Sequence, residues 1–321
     1  QALQWEMLKG FEIVGETGVI KKVVELIEKI APTESAVMIL GESGTGKELV
    51  ARNIQIKSPR MGHPFVRVNC AALPGELIES ELFGYEKGAF TGAYARKPGQ
   101  IELAEKGTLF LDEIGDMSLP AQAKVLRAIE DHEIMHLGGT RPIRVNARFI
   151  TATNQNLEEL IAAKKFREDL YHRINVIKIT VPPLRDRKAD IPVLAQKFLN
   201  EACLDNNRPF KKIGDDAQFV LRDHGWPGNV RELKYLMERL AILIDKTDVD
   251  EGDIKSLISV DQKFRTAGKM EIEKARDSFE KDYLISVLKR TGWRMNEAAD
   301  AMGIDRSTLF RKMKKLGIKK Q

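Results

Sequence analysis

Two cysteines in the whole chain, Cys70 and Cys203, are too few and too far apart for a disulfide framework or a zinc site. The five histidines (His63, His132, His136, His172 and His224) stand singly, without metal-ligand grouping, and no chemistry is assigned to any of them. No apolar run approaches the ~20 residues a membrane-spanning helix needs, and no signal peptide opens the chain. Internal repeats and low-complexity tracts are missing as well, which excludes a repeat architecture. These absences predict a reduced, cytoplasmic protein with no membrane partner. What remains is 321 residues, 43% apolar and 31% charged, enough for a real core and about two domains. The chain opens at Gln1 rather than at a methionine, so further sequence upstream is expected.

Charge is unevenly placed. The net charge is +5, yet residues 287–321 hold ten bases against three acids, which leaves the rest of the chain at −2. A near-neutral body with a basic end predicts a polyanion partner for that end, although charge alone also fits a solvated tail.

The stretch Gly41-Glu42-Ser43-Gly44-Thr45-Gly46-Lys47-Glu48 follows a β-prone run, 36–40, and opens a helical pattern beginning at Leu49. Glycines let the backbone curl so that successive N–H groups face one centre, the helix dipole adds positive potential, and Lys47 supplies a mobile cation. That is a phosphate cradle of the P-loop type, set against the plainer reading of a glycine-rich turn with a solvated lysine. Glu48 stands where Ser or Thr usually ligates magnesium, and a carboxylate there can hold the ion directly or through water.

Further along, helical spacing covers Val19–Ile30, and Phe65–Asn69 reads as a strand. Thr108-Leu109-Phe110-Leu111-Asp112-Glu113 reads as a buried strand beside the P-loop strand, ending in two acids at the sheet edge where ligands bind. Asp112 then helps to hold magnesium, and Glu113 orients or deprotonates the attacking water. Another apolar strand, 149–154, ends in Thr153 and Asn154, within reach of a γ-phosphate. A hairpin is expected around Gly138-Gly139. Between these lies Gly88-Ala89-Phe90-Thr91-Gly92-Ala93, one aromatic among small residues. Phe90 either stands at a flexible tip or tucks back on the domain, and the residues alone leave both open. Arg167 and Arg173 stand six positions apart, and spacing alone favours salt-bridged surface arginines.

Pro182-Pro183 closes the alternating region, and residues 191–257 read as helical. Trp226-Pro227-Gly228-Asn229 turns into a helix with Arg231 in its first turn. Residues 261–269 read as a flexible linker. In the tail, 296–302 is a short helix, Gly303 breaks it, and Asp305 or Ser307 caps a second. There Leu309, Met313 and Leu316 face inward while Arg306, Arg311 and Lys314 lie mostly elsewhere. That pattern predicts a helix-turn-helix, with a plain three-helix bundle as the alternative.

Together these motifs resemble the bacterial sigma-54-dependent transcription activators of the NtrC type, over about Val14 to Ile318. The glutamate in Gly41–Glu48 matches that family's own Walker A, and Gly88–Ala93 reads GAFTGA, its signature loop. The resemblance implies an AAA+ α/β fold, a parallel sheet with helices and a helical lid, followed by an all-α Fis-type helix-turn-helix domain. Its divisions would be 1–10 (linker stub), 11–181 (α/β subdomain), 182–260 (lid), 261–270 (linker) and 271–321 (DNA-binding domain). It implies ATP and magnesium as cofactors, with Val14, Gly15, Leu49 and Arg231 joining the P-loop around nucleotide, and Glu48 and Asp112 around the ion. Asn69 would restrain the catalytic Glu113, Thr153 and Asn154 would form sensor I, and Arg231 sensor II. Arg167 and Arg173 would be fingers donated across a subunit boundary in a ring of six or seven. The loop 88–93 would contact sigma-54 RNA polymerase holoenzyme, and hydrolysis would remodel its closed promoter complexes. Asp305, Arg306, Ser307, Thr308, Arg311, Lys312 and Lys315 would meet enhancer DNA, as dimers on palindromic sites. Relatives commonly add an N-terminal regulatory domain, as in two-component systems. Two competing functions are a helicase-type DNA-remodelling AAA+ motor, whose hydrolysis any DNA would stimulate, and a DNA-binding repressor that never hydrolyses ATP.

Overall fold

The computed structural model describes residues 10–72, 75–267, 284, 288, 291, 293–301, 309 and 312–313. The stub before Gly10 and the expected DNA contacts Asp305, Arg306, Ser307, Thr308, Arg311 and Lys315 lie outside the described residues. By internal contacts the chain divides into two units, Gln1–Ile254 and Lys255–Gln321.

In the first unit, α1 (Gly18–Ile30) buries Ile20, Val23, Ile27 and Ile30 along one stripe, as its helical spacing dictates. Next come β1 (Val37–Leu40), α2 (Lys47–Ile56), β2 (Phe65–Asn69) and α3 (Gly75–Phe83). A short antiparallel pair, β3 (Gly84–Tyr85) and β4 (Lys97–Pro98), precedes α4 (Gln100–Leu103) and β5 (Thr108–Asp112). After α5 (Leu119–Glu130), the expected hairpin forms from β6 (Glu133–Ile134) and β7 (Ile143–Arg144). The α/β part ends with β8 (Arg148–Thr153), α6 (Leu157–Ala162), α7 (Glu168–Ile174) and β9 (Ile177–Thr180).

The five longer strands make one parallel sheet in the order β2-β5-β8-β1-β9. The acid-tipped strand β5 therefore does not lie beside the P-loop strand β1, as expected from sequence: β8 stands between them. All six residues of β8 are buried, so it takes the sheet centre, the position shielded on both faces. Buried Arg148 at its start donates to the carbonyls of Ala31 and Ile30 at 2.8 and 2.9 Å, satisfying the C-terminal end of α1. The two faces follow the two-residue period of a strand. Leu109 and Leu111 pack with Ile78, Leu82 and Val125 on one side, while Phe110 joins Ile27, Val50 and Ile54 on the other.

A 3-10 segment, Leu184–Asp190, leads into the lid helices α8 (Ile191–Asp205), α9 (Asp215–Asp223) and α10 (Asn229–Leu243). A two-residue parallel pair, β10 (Lys212–Ile213) with β11 (Asp248–Val249), ties them together and interrupts the expected all-helical run. Trp226 is buried, and its indole N–H donates to Leu221 O at 2.8 Å. The next helix, α11 (Glu251–Ala267), continues through residues 261–267, expected as flexible linker, because no glycine or proline interrupts it after Gly252.

In the second unit, Leu284, Leu288, Ala298, Ala299, Leu309 and Met313 form a small buried cluster, with Ala298 and Ala299 on α12 (Met295–Ala301). Leu309 and Met313, four residues apart, both face inward as expected; Leu316 lies outside the described residues. Lys312 is half-buried. Among the described residues no helix is long and apolar enough to cross a membrane.

Candidate functional site

The loop between β1 and α2 curls at the C-terminal edge of the sheet. Helix α2 begins at Lys47, two residues before the expected start, because Gly46 at φ +102° serves as its N-cap and turns the first N–H groups toward the loop centre. Ser43, Gly44, Gly46, Lys47 and Glu48 line a cavity of about 420 Å³ together with Asp112, Glu113 and Arg231. Lys47 is only 6% exposed, and its Nζ donates to Gly41 O at 2.9 Å and to Glu113 Oε1 at 3.2 Å. Thr45 Oγ1 donates to Glu42 O at 2.9 Å, closing the turn.

Glu113 follows β5 directly with φ +53°, a left-handed backbone that re-aims its side chain out of the sheet's alternation. Its second carboxylate oxygen accepts from Asn154 N at 3.1 Å. Asp112 is half-buried, and burial, then the Glu113 charge, raise its carboxyl above the usual range; Arg67 and Lys47 pull it back. Arg67 on β2 donates to Glu48 Oε2 through Nη1 and to Asp112 Oδ2 at 3.2 Å through Nη2. Asn69 pairs in register with Asp112, but its Oδ1 accepts from Ala71 N at 3.0 Å. No hydrogen bond joins it to Glu113, whose carboxylate is instead held by Lys47 and by Asn154 N. Thr153 is buried and its hydroxyl accepts from Gln155 N at 3.0 Å, whereas Asn154 is exposed beside it. Among the described residues no cluster of three His, Cys, Asp or Glu forms an all-protein metal cage. Two carboxylates facing a phosphate cradle are the donor set that suits magnesium, which takes one or two carboxylates plus phosphate oxygens and water.

Beside that cavity, a second one of about 180 Å³ is lined by Ile13, Val14, Ile20, Val50, Leu194 and Val230, with the charged Arg187, Lys197 and Lys234 also on its wall; its apolar part suits a flat base. Gly15 lets the irregular segment beside this slot approach Asp190: a Cβ there would lie 2.8 Å from Asp190 Oδ2. Asp190 in turn accepts from Glu16 N at 2.7 Å and from Thr17 N at 3.0 Å. Lid and cradle meet directly. Gly44, at φ +79°, sits so close to the lid that a Cβ would lie 2.3 Å from Gly228 O. Asn229, fully buried, donates to Glu42 Oε2 and Ser43 O, both at 3.1 Å, and accepts from Leu184 N at 2.8 Å. Arg231 Nη1 donates to Ser43 Oγ at 3.2 Å, and its backbone N–H to Gly44 O. Arg187, also buried, donates to Thr45 O at 3.1 Å. The sequence reading missed Asn229, Arg185 and Arg187; the Trp226–Arg231 turn was the one signal that pointed near them.

Arg185 grips Glu42 through both Nη atoms, and that pair, then Asn229, holds the Glu42 carboxyl down at about 2. A depressed folded-state value contributes stability that is present above about 4.5 and lost as pH falls toward 2. The pair is partly exposed, so solvent screening makes the contribution small. Glu42→Gln is expected to lower the thermal midpoint at pH 7 and to flatten its decline between pH 4.5 and 2, read by calorimetry across that range.

Arg167 caps α7 and is paired with Asp169 on its own helix, at 3.0 and 2.6 Å. Among the described residues Arg173 reaches only Ile129 O, at 3.5 Å. Neither lines the cavities of this chain's own site.

The GAFTGA stretch projects from the β3–β4 pair. Gly88 N donates to Ala93 O at 2.9 Å across the loop, and Ala93 is buried at its base. Phe90 is 46% exposed and meets Tyr85 edge-on at 4.9 Å, so it leans on the stem without being covered. Thr91 and Gly92 are exposed. The hairpin supports the stem: Glu86 N donates to Leu137 O, Leu137 N to Gly84 O, and Gly138 abuts Ala89. His136, assigned no chemistry from sequence, is buried with its two ring nitrogens 2.8 Å from Glu86 and from Glu102, a strut between loop stem and α4.

Family models match residues 13–180 (sigma-54 interaction domain), 185–270 (AAA+ ATPase lid domain) and 275–316 (bacterial regulatory protein, Fis family). The Nif-specific regulatory protein of Azotobacter vinelandii is 46% identical over 92% of this chain and 57% of its own length. NtrC of Klebsiella pneumoniae is 39% identical over 96% of this chain and 70% of its own length. The chain thus spans little more than half of several relatives. Crystal structures of NtrX from Brucella abortus, with ADP and with ATP, are 40% identical over 96% of this chain and 69% of theirs, with TM-scores of 0.75 and 0.74. With the first model covering just over half of the residues, and two more accounting for the lid and the basic tail, the chain belongs to the sigma-54-dependent transcription activators, an AAA+ family with a Fis-type helix-turn-helix domain.

Proposed function

We propose that this chain hydrolyses ATP in a ring of six or seven subunits and uses the energy to move the Phe90 loop against the sigma-54 RNA polymerase holoenzyme, opening closed promoter complexes. One observation carries the reading. The P-loop, Asp112, Glu113 and Arg231 converge on one cavity, whereas Arg167 and Arg173 stand away from it. A cavity that gathers the P-loop, the two acids and Arg231 but neither Arg167 nor Arg173 is the arrangement that those two arginines of a neighbouring subunit would complete. The NtrX complexes with ATP and ADP support an adenine nucleotide as the ligand of this chain.

In this mechanism the apolar slot around Val14 takes the base, and the P-loop N–H groups and Lys47 take the phosphates. Glu48 and Asp112 would hold magnesium, which would supply positive charge to screen the phosphate oxygens. Glu113 accepts the proton of the attacking water, with Asn154 beside it at the sheet edge. Motion has a short route to the loop: β2 and α3 carry the chain from Asn69 directly into the β3 stem at Gly84. The basic tail binds enhancer DNA as a dimer on palindromic sites, through Asp305, Arg306, Ser307, Thr308, Arg311, Lys312 and Lys315.

Hydrolysis per subunit is therefore expected to rise steeply with protein concentration. Arg167→Ala and Arg173→Ala are each expected to lower it by roughly 10³-fold or more, the scale of an arginine finger. Mixing either variant with Lys47→Ala should restore part of the rate, since each supplies what the other lacks. A dilute monomer as active as the concentrated protein would overturn the shared site. Hydrolysis stimulated by any DNA and indifferent to sigma-54 would instead mark a DNA-remodelling motor.

A further inference from the structure

The cavity that takes the phosphates contains a cation that neither the P-loop pattern nor the strand ending in acids accounts for. Arg67 lies on β2, the sheet edge, and its guanidinium spans Glu48 Oε2 and Asp112 Oδ2, the second contact at 3.2 Å. Glu48 Oε1 is engaged separately by Arg52 Nε at 3.0 Å, one helical turn along α2. Lys47 is turned to Glu113 and Gly41 O. The guanidinium of Arg67 thus bridges the same two carboxylates that the proposed function gives to magnesium.

We propose that Arg67 is a built-in counter-ion for the metal site, a positioning residue that holds Glu48 and Asp112 together before the ion arrives and competes with it for them. The inference rests on the reading that these two carboxylates take magnesium. Its physical basis is direct. Carboxylates gathered at one sheet edge repel one another, and a planar fork with donors on two sides satisfies a pair of them at once. A divalent ion seeking the same oxygens must displace that fork. At 40% exposure the Arg67 side chain has solvent to swing into, so displacement costs the ion pairs but no core packing. Arg67 therefore sets how much free magnesium the site demands, and it ties ion occupancy to β2, the strand that leads through α3 into the Phe90 loop.

The test measures ion affinity rather than turnover. ADP binding to the full chain is followed by calorimetry over a series of free Mg²⁺ concentrations, and Mn²⁺ binding to the protein–ADP complex is followed by paramagnetic resonance. For Arg67→Gln the half-saturating Mg²⁺ and the Mn²⁺ dissociation constant are expected to fall about three- to tenfold, the scale of losing one or two part-exposed ion pairs. Arg67→Lys, which keeps the charge but loses the fork, should fall between the two proteins. Thermal unfolding of both variants checks that the fold is kept; a merely structural Arg67 would lower stability and leave ion affinity where it was. Unchanged or weakened ion affinity in Arg67→Gln overturns the counter-ion. If ADP affinity of the parent ignores Mg²⁺, or if Glu48→Gln and Asp112→Asn leave its Mg²⁺ dependence intact, the metal-site reading fails and takes the counter-ion with it.

Discussion

Glu113→Gln is expected to slow ATP hydrolysis by roughly 10²–10⁴-fold, the usual contribution of a general base, while ATP binding survives. The amide matches the carboxylate in size and can still accept from Asn154 N, now 3.1 Å from Glu113 Oε2, so the β5 terminus keeps its left-handed turn. What is lost is the basicity that removes the water's proton, together with the negative charge 3.2 Å from Lys47 Nζ. Without that charge the ammonium has only carbonyl oxygens to satisfy it, and a nucleotide's phosphates become the strongest anion within its reach. Affinity for ATP is therefore expected to hold or rise as turnover collapses. Phosphate release in the steady state and equilibrium binding of ATP, measured on the same preparation, separate the two effects. A loss of turnover under tenfold would remove Glu113 from the role of base, and a parallel loss of binding would make it a structural prop for Lys47.

The parts of this site that could be read in advance are those whose chemistry is local in the chain. An apolar run, three glycines and a lysine within a dozen residues specify a cradle by themselves, and Asp112-Glu113 at the end of a buried run specify its acidic counterpart. The error about β5 lay in its neighbour: two strands can each be recognised while the one between them is not, since sheet order depends on pairings far apart in sequence. Arg67 and Asn229 escaped for the same reason. An arginine on a strand gives no sign of the two carboxylates it will bridge, which lie 19 positions before it and 45 after it. Asn229 reaches back 187 residues to Glu42, and its burial, rather than its type, makes it a hub. His136 was set aside as a lone histidine, and its contacts to Glu86 and Glu102 arise only when the hairpin folds against the loop stem. Residues 261–267 were misread in the opposite direction. With no glycine or proline to stop it after Gly252, α11 continues through that stretch.

Phe90→Ala is expected to abolish sigma-54-dependent promoter opening and to leave ATP hydrolysis near the parent rate. Removing an aromatic anchor from a contact costs at least ~2 kcal/mol, about thirtyfold in affinity. The ring suits that role because its placement is only half complete. Edge contact with Tyr85 at 4.9 Å holds it in position, while 46% exposure leaves apolar surface open. Exposure alone would select Tyr94 instead, which is 88% exposed, so Tyr94→Ala is the informative control. Tyr94 lies beyond the Gly88–Ala93 hydrogen bond that closes the loop and has no stem ring against it, so its removal is expected to have the smaller effect. Neither substitution touches a residue lining the nucleotide cavities, and for that reason hydrolysis should not follow transcription down. Direct binding to purified sigma-54 and open-complex formation on a sigma-54 promoter read the coupling, and phosphate release reads the motor. If Phe90→Ala opens promoters as well as the parent, the loop is no effector. If it loses hydrolysis as well, the ring acts on the stem and the β2–α3 route, and the energy never reaches a separate finger.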